Sequence, residues 1–146
     1  MIRKVIFALA IMCSFVIFYS CTAPQKDAYI YEDDELKIHK NDSMFHDFEI
    51  EGDYVYMRCS ICVENLTDET QQFYITAQSK EDVKNGLIKG NLYAADRKHK
   101  MKLFSIPPRT ELDGGKLLLD FTLIGKHGVG NMKYDRNLPY LMLFRI

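Results

Sequence analysis

Two cysteines separated by two residues, Cys59-Ser60-Ile61-Cys62, are the first positions in this chain whose spacing suggests chemistry. A Cys-x-x-Cys pair does redox work at a helix N-terminus, where the helix dipole stabilises the thiolate. Here the pair lies inside Tyr54 to Glu64. In that stretch Val55, Met57, Cys59, Ile61 and Val63 alternate with Tyr56, Arg58, Ser60, Cys62 and Glu64. Such alternation marks a strand with one buried and one wet face. Residues three apart on a strand point to opposite sides, so the two thiols are expected to diverge. Cys59 then reads as a small buried hydrophobe. His39, His46, His99 and His127 lack the close spacing of a metal site. Glu32-Asp33-Asp34-Glu35 lacks the interleaved glycine and spaced ligands of a calcium loop. Gly125-Lys126-His127-Gly128-Val129-Gly130 lacks the Walker spacing, and it reads as a hairpin loop. No serine sits in a Gly-x-Ser-x-Gly elbow. The expectation is a non-catalytic protein with no cofactor and no metal.

What remains is binding. Arg97-Lys98-His99-Lys100, with Lys102, forms a basic cluster. It suits contact with anionic lipid or wall polymer, or a charged hairpin that discourages edge-to-edge pairing. Tyr54, Tyr56 and Tyr74 fall on wet strand faces, and Tyr is enriched at binding surfaces. Tyr54, Tyr56, Tyr74, Arg97, Lys98 and Lys100 are therefore the candidate contact surface.

The elements that would position them are mostly strands. After Tyr54 to Glu64, a polar turn at Asn65 to Glu69 leads to a second alternating run, Phe73, Ile75 and Ala77. So short a connection predicts that these two strands pair antiparallel. Ser79 to Ile88 is the only helical candidate, with Ser79 as N-cap, Val83 and Leu87 on one face, and Gly90 closing it. Met101 to Ile106 is a strand stopped by Pro107-Pro108, and Asp113-Gly114-Gly115 is a turn. In Lys116 to Ile124, Leu117, Leu119, Phe121 and Leu123 face inward while Asp120 and Thr122 face outward. Leu138 to Ile146 is apolar on both faces and should be central or covered. About seven to eight strands with one short linking helix predict an all-β, antiparallel sandwich, with a small barrel as the alternative. The long strand, Asn-x-Thr turn and strand of Tyr54 to Ala77, with the later hairpin after Pro107-Pro108, is similar to immunoglobulin-like domains of small bacterial lipoproteins.

The N-terminus supplies the address. Arg3-Lys4 precedes an apolar run, Val5 to Tyr19, and then Ser20-Cys21. A basic start, an apolar stretch and a small residue at the cut site make an export signal. With the cysteine directly after Ser20, the segment resembles a bacterial lipoprotein signal. Phe18 and Ser20 fit that family's apolar and small positions, and Tyr19 departs from its pattern. The resemblance implies that Cys21 becomes the first mature residue and carries a lipid such as palmitate. It implies a domain anchored on the extracytoplasmic face of the cell membrane. An uncleaved anchor and a secreted chain cut after Ala23 are the alternatives. The division that follows is 1–20 signal helix, 21–40 tether with room for a short strand, and 41–146 β-sandwich. Removing Arg3 and Lys4 lowers Lys plus Arg from 19 to 17 against 20 Asp plus Glu, a net charge of about −3. That balance gives no general attraction to nucleic acid. The expected function is a tethered module that binds a protein or an envelope component. An immunity or inhibitor lipoprotein is a narrower version of it, and an envelope enzyme is the contrasting class.

Overall fold

Alternating apolar residues build a single antiparallel sheet. The computed structural model describes residues 29–109, 117–129 and 137–146. Among these, eight strands run β1 Tyr29–Glu32, β2 Leu36–Glu51, β3 Tyr54–Asn65, β4 Gln71–Gln78, β5 Ile88–Ala95, β6 Leu103–Ile106, β7 Leu117–His127 and β8 Tyr140–Arg145. One short helix, α1 Lys80–Lys84, links β4 to β5. Hydrogen bonding follows the order β1-β2-β3-β7-β5-β4-β6, and β8 pairs with β4. The sheet curls until its ends approach, so the architecture is all-β and nearly closed, like a barrel. At the seam between β1 and β8, Arg145 forms ion pairs with Asp33 and Glu35.

The inward face of β3 carries the alternation seen in its sequence: Val55, Met57, Cys59, Ile61 and Val63 are all buried. They meet Phe73, Ile75 and Ala77 of β4, Leu92 and Ala94 of β5, Phe104 and Ile106 of β6, and Phe121 and Leu123 of β7. Each such large apolar side chain contributes about 1.5–3 kcal/mol on burial. Phe104 stacks on Phe73 at 5.9 Å between centroids and meets Phe121 edge-on at 5.8 Å. That aromatic trio ties β4, β6 and β7 together through the core.

Several local outcomes differ from the sequence reading, among them β8, which was expected central or covered but pairs with β4 and leaves Tyr140 and Phe144 exposed. First, β3 and β4 are not neighbours; β3 pairs with β2 and β7, and β4 with β5, β6 and β8. The turn after β3 carries the chain across the end of the core. Buried Asn65 holds this crossing, donating from Nδ2 to the carbonyls of Glu69 (2.8 Å), Ile106 (3.2 Å) and Pro107 (3.0 Å). Its Oδ1 accepts from the Thr67 amide (2.9 Å) and hydroxyl (2.8 Å).

Second, the sheet reaches into the expected tether. Residues 29–40 are strand except for the turn between β1 and β2, and Leu36 and Ile38 lie in the core. β2 runs on through the polar Lys40 to Ser43 because register shifts absorb those residues, one between His39 and Met44 and one between Phe45 and Asp47. Ser43 steadies the first shift, its hydroxyl donating to the His39 carbonyl and accepting from the Cys62 amide at 3.0 Å.

Third, β7 continues through His127 where a loop was expected from Gly125. The helix is also shorter than the Ser79 to Ile88 expectation. Gly86 takes a left-handed φ of 77° just past it, Val83 is exposed, and Leu87 enters the core. The signal segment, Cys21, residues 21–28 of the tether and the Asp113-Gly114-Gly115 turn lie outside the described residues.

Candidate binding site

Outward positions on four adjoining strands come into line through their register. Arg58 of β3 stands between Asp47 of β2 and Thr122 of β7, and Thr122 stands beside Ala95 of β5. Ser60 stands opposite Asp120. This row floors an open concavity of about 710 Å³ on the outside of the sheet. His46, Asp47, Arg58, Asp96, Arg97, Lys102, Asp120 and Thr122 carry its polar wall.

The hairpin after β5 makes one rim. Asp96 organises it, its carboxylate accepting from the amides of Lys98 (2.8 Å) and Lys100 (2.9 Å). Those two amides, Lys100 first, hold the Asp96 carboxyl below its ordinary range. His99 occupies the left-handed region at φ 58°. The Tyr93 hydroxyl donates to its carbonyl at 3.2 Å. The His99 ring packs edge-on against Tyr54 and Tyr56, with centroids at 5.0 Å and 5.7 Å. Tyr56 Oη lies 3.2 Å from His99 Nε2. Desolvation and then the nearby Glu51 charge push the Tyr56 hydroxyl above its ordinary pKa.

The floor is pre-set. Arg58 grips Asp47 through two parallel hydrogen bonds, which hold the Asp47 carboxyl below its ordinary range. His46 Nε2 lies 2.8 Å from Ser60 Oγ. Arg97 and Asp120 have no hydrogen-bond or ion-pair partner among the described residues, and both are exposed. Lys102 lies over the Phe104 ring at 5.0 Å. The concavity therefore offers separate cationic and anionic groups to one ligand, beside an aromatic cluster.

The sequence-derived contact residues divide between two places. Tyr54 and Tyr56 meet the hairpin that carries Arg97, Lys98 and Lys100, and these five form one surface. Tyr74 stands apart on β4, opposite Leu103 of β6 and Phe144 of β8. Nothing in the sequence singles out Asp47, Asp96, Asp120 and His46 as site residues. Alternation marks Arg58 and Asp120 as outward, but only strand order places them together.

Cys59 and Cys62 are both buried, and neither is in a disulfide. Burial, then the Asp47 charge, pushes the Cys59 thiol up to about 12, far from thiolate chemistry at neutral pH. Among the described residues no group of three His, Cys, Asp or Glu side chains is placed to hold a metal ion. Likewise, no described helix is long and apolar enough to cross a membrane. Compared with known protein families, curated proteins and solved structures, the chain matches none.

Proposed function

We propose that this chain is a lipid-anchored extracytoplasmic binding module, held to the membrane through Cys21, that grips an envelope component in the concavity bounded by β2, β3, β7 and the hairpin after β5. One observation carries the binding reading. Arg97 and Asp120 present opposite charges in one open concavity, flanked by Tyr54 and Tyr56. Such a wall suits a peptide or wall-polymer segment that bears both carboxylates and amines. A preset Asp47–Arg58 floor lowers the ordering cost of binding. The immunoglobulin-like relationship belongs to the same proposal. Its support is that β3 and β4 send Met57, Ile61, Phe73 and Ile75 into one core without pairing.

Two measurements test the reading. Labelled fatty acid fed to cells is expected to enter the wild-type protein and not Cys21→Ala; label retained by the variant refutes the lipid assignment. A photo-crosslinking residue replacing Thr122 in intact cells is expected to capture an envelope component. The same residue at exposed Gln72 on β4, away from the concavity, is expected to capture none of it. Equal capture at both positions refutes the concavity as the site.

A further inference from the structure

The side of the barrel away from the concavity has a different chemistry. The outward positions of β4 are Gln72, Tyr74, Thr76 and Gln78. Those of β6 are Leu103 and Ser105, and those of β8 are Tyr140, Met142 and Phe144, with Ile146 following. No charged side chain stands among them. By contrast, outward positions around the concavity include Asp47, Glu49, Arg58, Asp120 and Lys126. Register aligns the apolar groups into a patch. Tyr74 lies between Leu103 and Phe144, Thr76 opposes Met142, and Gln78 opposes Tyr140. These groups are open to solvent: Leu103 is 41% exposed, Phe144 51%, Tyr140 66% and Ile146 76%. A face of this kind on a protein marks an interaction surface.

The tether indicates what covers it. β1 begins at Tyr29, so eight residue steps separate it from Cys21. That length spans at most about 29 Å. A 12-residue strand such as β3 is itself about 40 Å long. A domain anchored at Cys21 therefore cannot stand a molecular length off the bilayer. The strand that receives the tether, β1, lies at the seam with β8, where Arg145 meets Asp33 and Glu35. The exposed apolar face begins on β8 itself.

We propose that the β6–β4–β8 face lies on the lipid bilayer, with Tyr140, Phe144, Leu103 and Ile146 entering its interfacial zone. The proposal rests on the Cys21 anchor. Tyrosine at headgroup level with aliphatic and Phe side chains below is the usual composition of interfacial contacts. In the hydrogen-bond order, β3 lies three strands from β4 and β7 lies two, with β8 one further on beyond β4. Contact through β4 and β8 thus turns the concavity toward the envelope space, where its ligand is.

The absence of Trp from the chain makes the test direct. Phe144→Trp installs a single reporter on the face. Tyr140→Trp is a second reporter should the first variant fold poorly, and Lys126→Trp on β7 is the control. Each full-length lipidated protein is reconstituted into vesicles of phosphatidylglycerol and acyl-brominated phosphatidylcholine. The emission of Phe144→Trp and Tyr140→Trp is expected to shift blue and lose about half or more of its intensity to the bromines, while Lys126→Trp keeps its own. Equal quenching on both sides, or none, overturns the proposal. Shielding of Trp at position 144 from acrylamide without bromolipid quenching also overturns it and assigns the face to a second copy of the chain. Combining Cys21→Ala with Phe144→Trp in a chain that starts at position 21, so that the apolar leader is absent, separates the two ideas. Release of that double variant from vesicles on flotation supports the Cys21 tether. Continued binding with unchanged bromolipid quenching removes the tether reading and leaves the lipid-facing patch standing.

Discussion

Asn65 shows how much one side chain holds. It is 2% exposed, and both ends of its amide are in use. Replacing it with Ala removes the donors to the Ile106 and Pro107 carbonyls, leaves the Glu69 carbonyl only the Thr67 hydroxyl at 3.0 Å, and removes the clamp on the β3-to-β4 crossing. Leaving such groups unsatisfied costs about 1–3 kcal/mol each. Asn65→Ala is therefore expected to lower unfolding free energy by about 3 kcal/mol or more, read by urea denaturation. Asn65→Asp keeps the acceptor and loses the donors, so it should be nearly as damaging. Seen from the chain alone, Asn65-Leu66-Thr67 has the form of a glycosylation triplet, and nothing local reveals the three carbonyls. They come from a turn 4 residues on and from a segment 41 and 42 residues on.

At the scale of elements, Gly125 and Gly128 act through packing. A Cβ on Gly128 would lie 2.0 Å from the carbonyl oxygen of Gly86, a backbone atom that cannot swing aside. The Gly128 amide also donates to the Leu87 carbonyl at 2.9 Å, which locks the end of β7 to the start of β5. A Cβ on Gly125 would meet Leu92 Cδ2 at 2.6 Å, the mobile end of a side chain. Gly128→Ala is expected to cost about 3 kcal/mol or more and Gly125→Ala about 1–2 kcal/mol. Thermal unfolding of the two variants ranks them, and a reversed order refutes this account. The same interlocking explains why β7 outruns its expected end. A glycine pair that reads as loop in the chain is where the end of β7 packs closely on β5 and the turn before it.

At the scale of the whole molecule, closure of the sheet depends on a polar seam. Asp33 loses hydration by burial, which would raise its pKa from the ordinary 3.8. Donation from the Tyr31 hydroxyl and the Leu36 amide, with the Arg145 charge, outweighs that and lowers it. A carboxyl with a depressed folded pKa adds stability above its unfolded value, and that stability is lost as pH falls through the folded one. Asp33→Asn is thus expected to cost about 1 kcal/mol at neutral pH, because the pair is partly exposed. The difference from wild type should shrink between neutral pH and an acid pH below the lowered folded pKa, where the native carboxyl is also protonated. Unfolding curves at the two pH values check this; a difference that persists in acid places the effect elsewhere.

Period-two alternation alone made the strands from Tyr54, Phe73 and Leu117 legible, with their inward residues, because a half-buried strand must repeat every two residues. It also marked Tyr54 and Tyr56 as surface residues, and the run of charge marked Arg97 to Lys100. Strand partners were not legible. Alternation states which way a side chain points and nothing about which strand lies beside it, so β3 beside β7, instead of β4, appeared only with the fold. The same holds for Asp47, Arg58 and Asp120 in one concavity, and for Tyr74 joining Leu103 and Phe144 on the opposite side. Local composition decides direction and burial, because those depend on a residue's own affinity for water. Neighbourhood depends on how distant segments close around a shared core, and only the tertiary structure decides that.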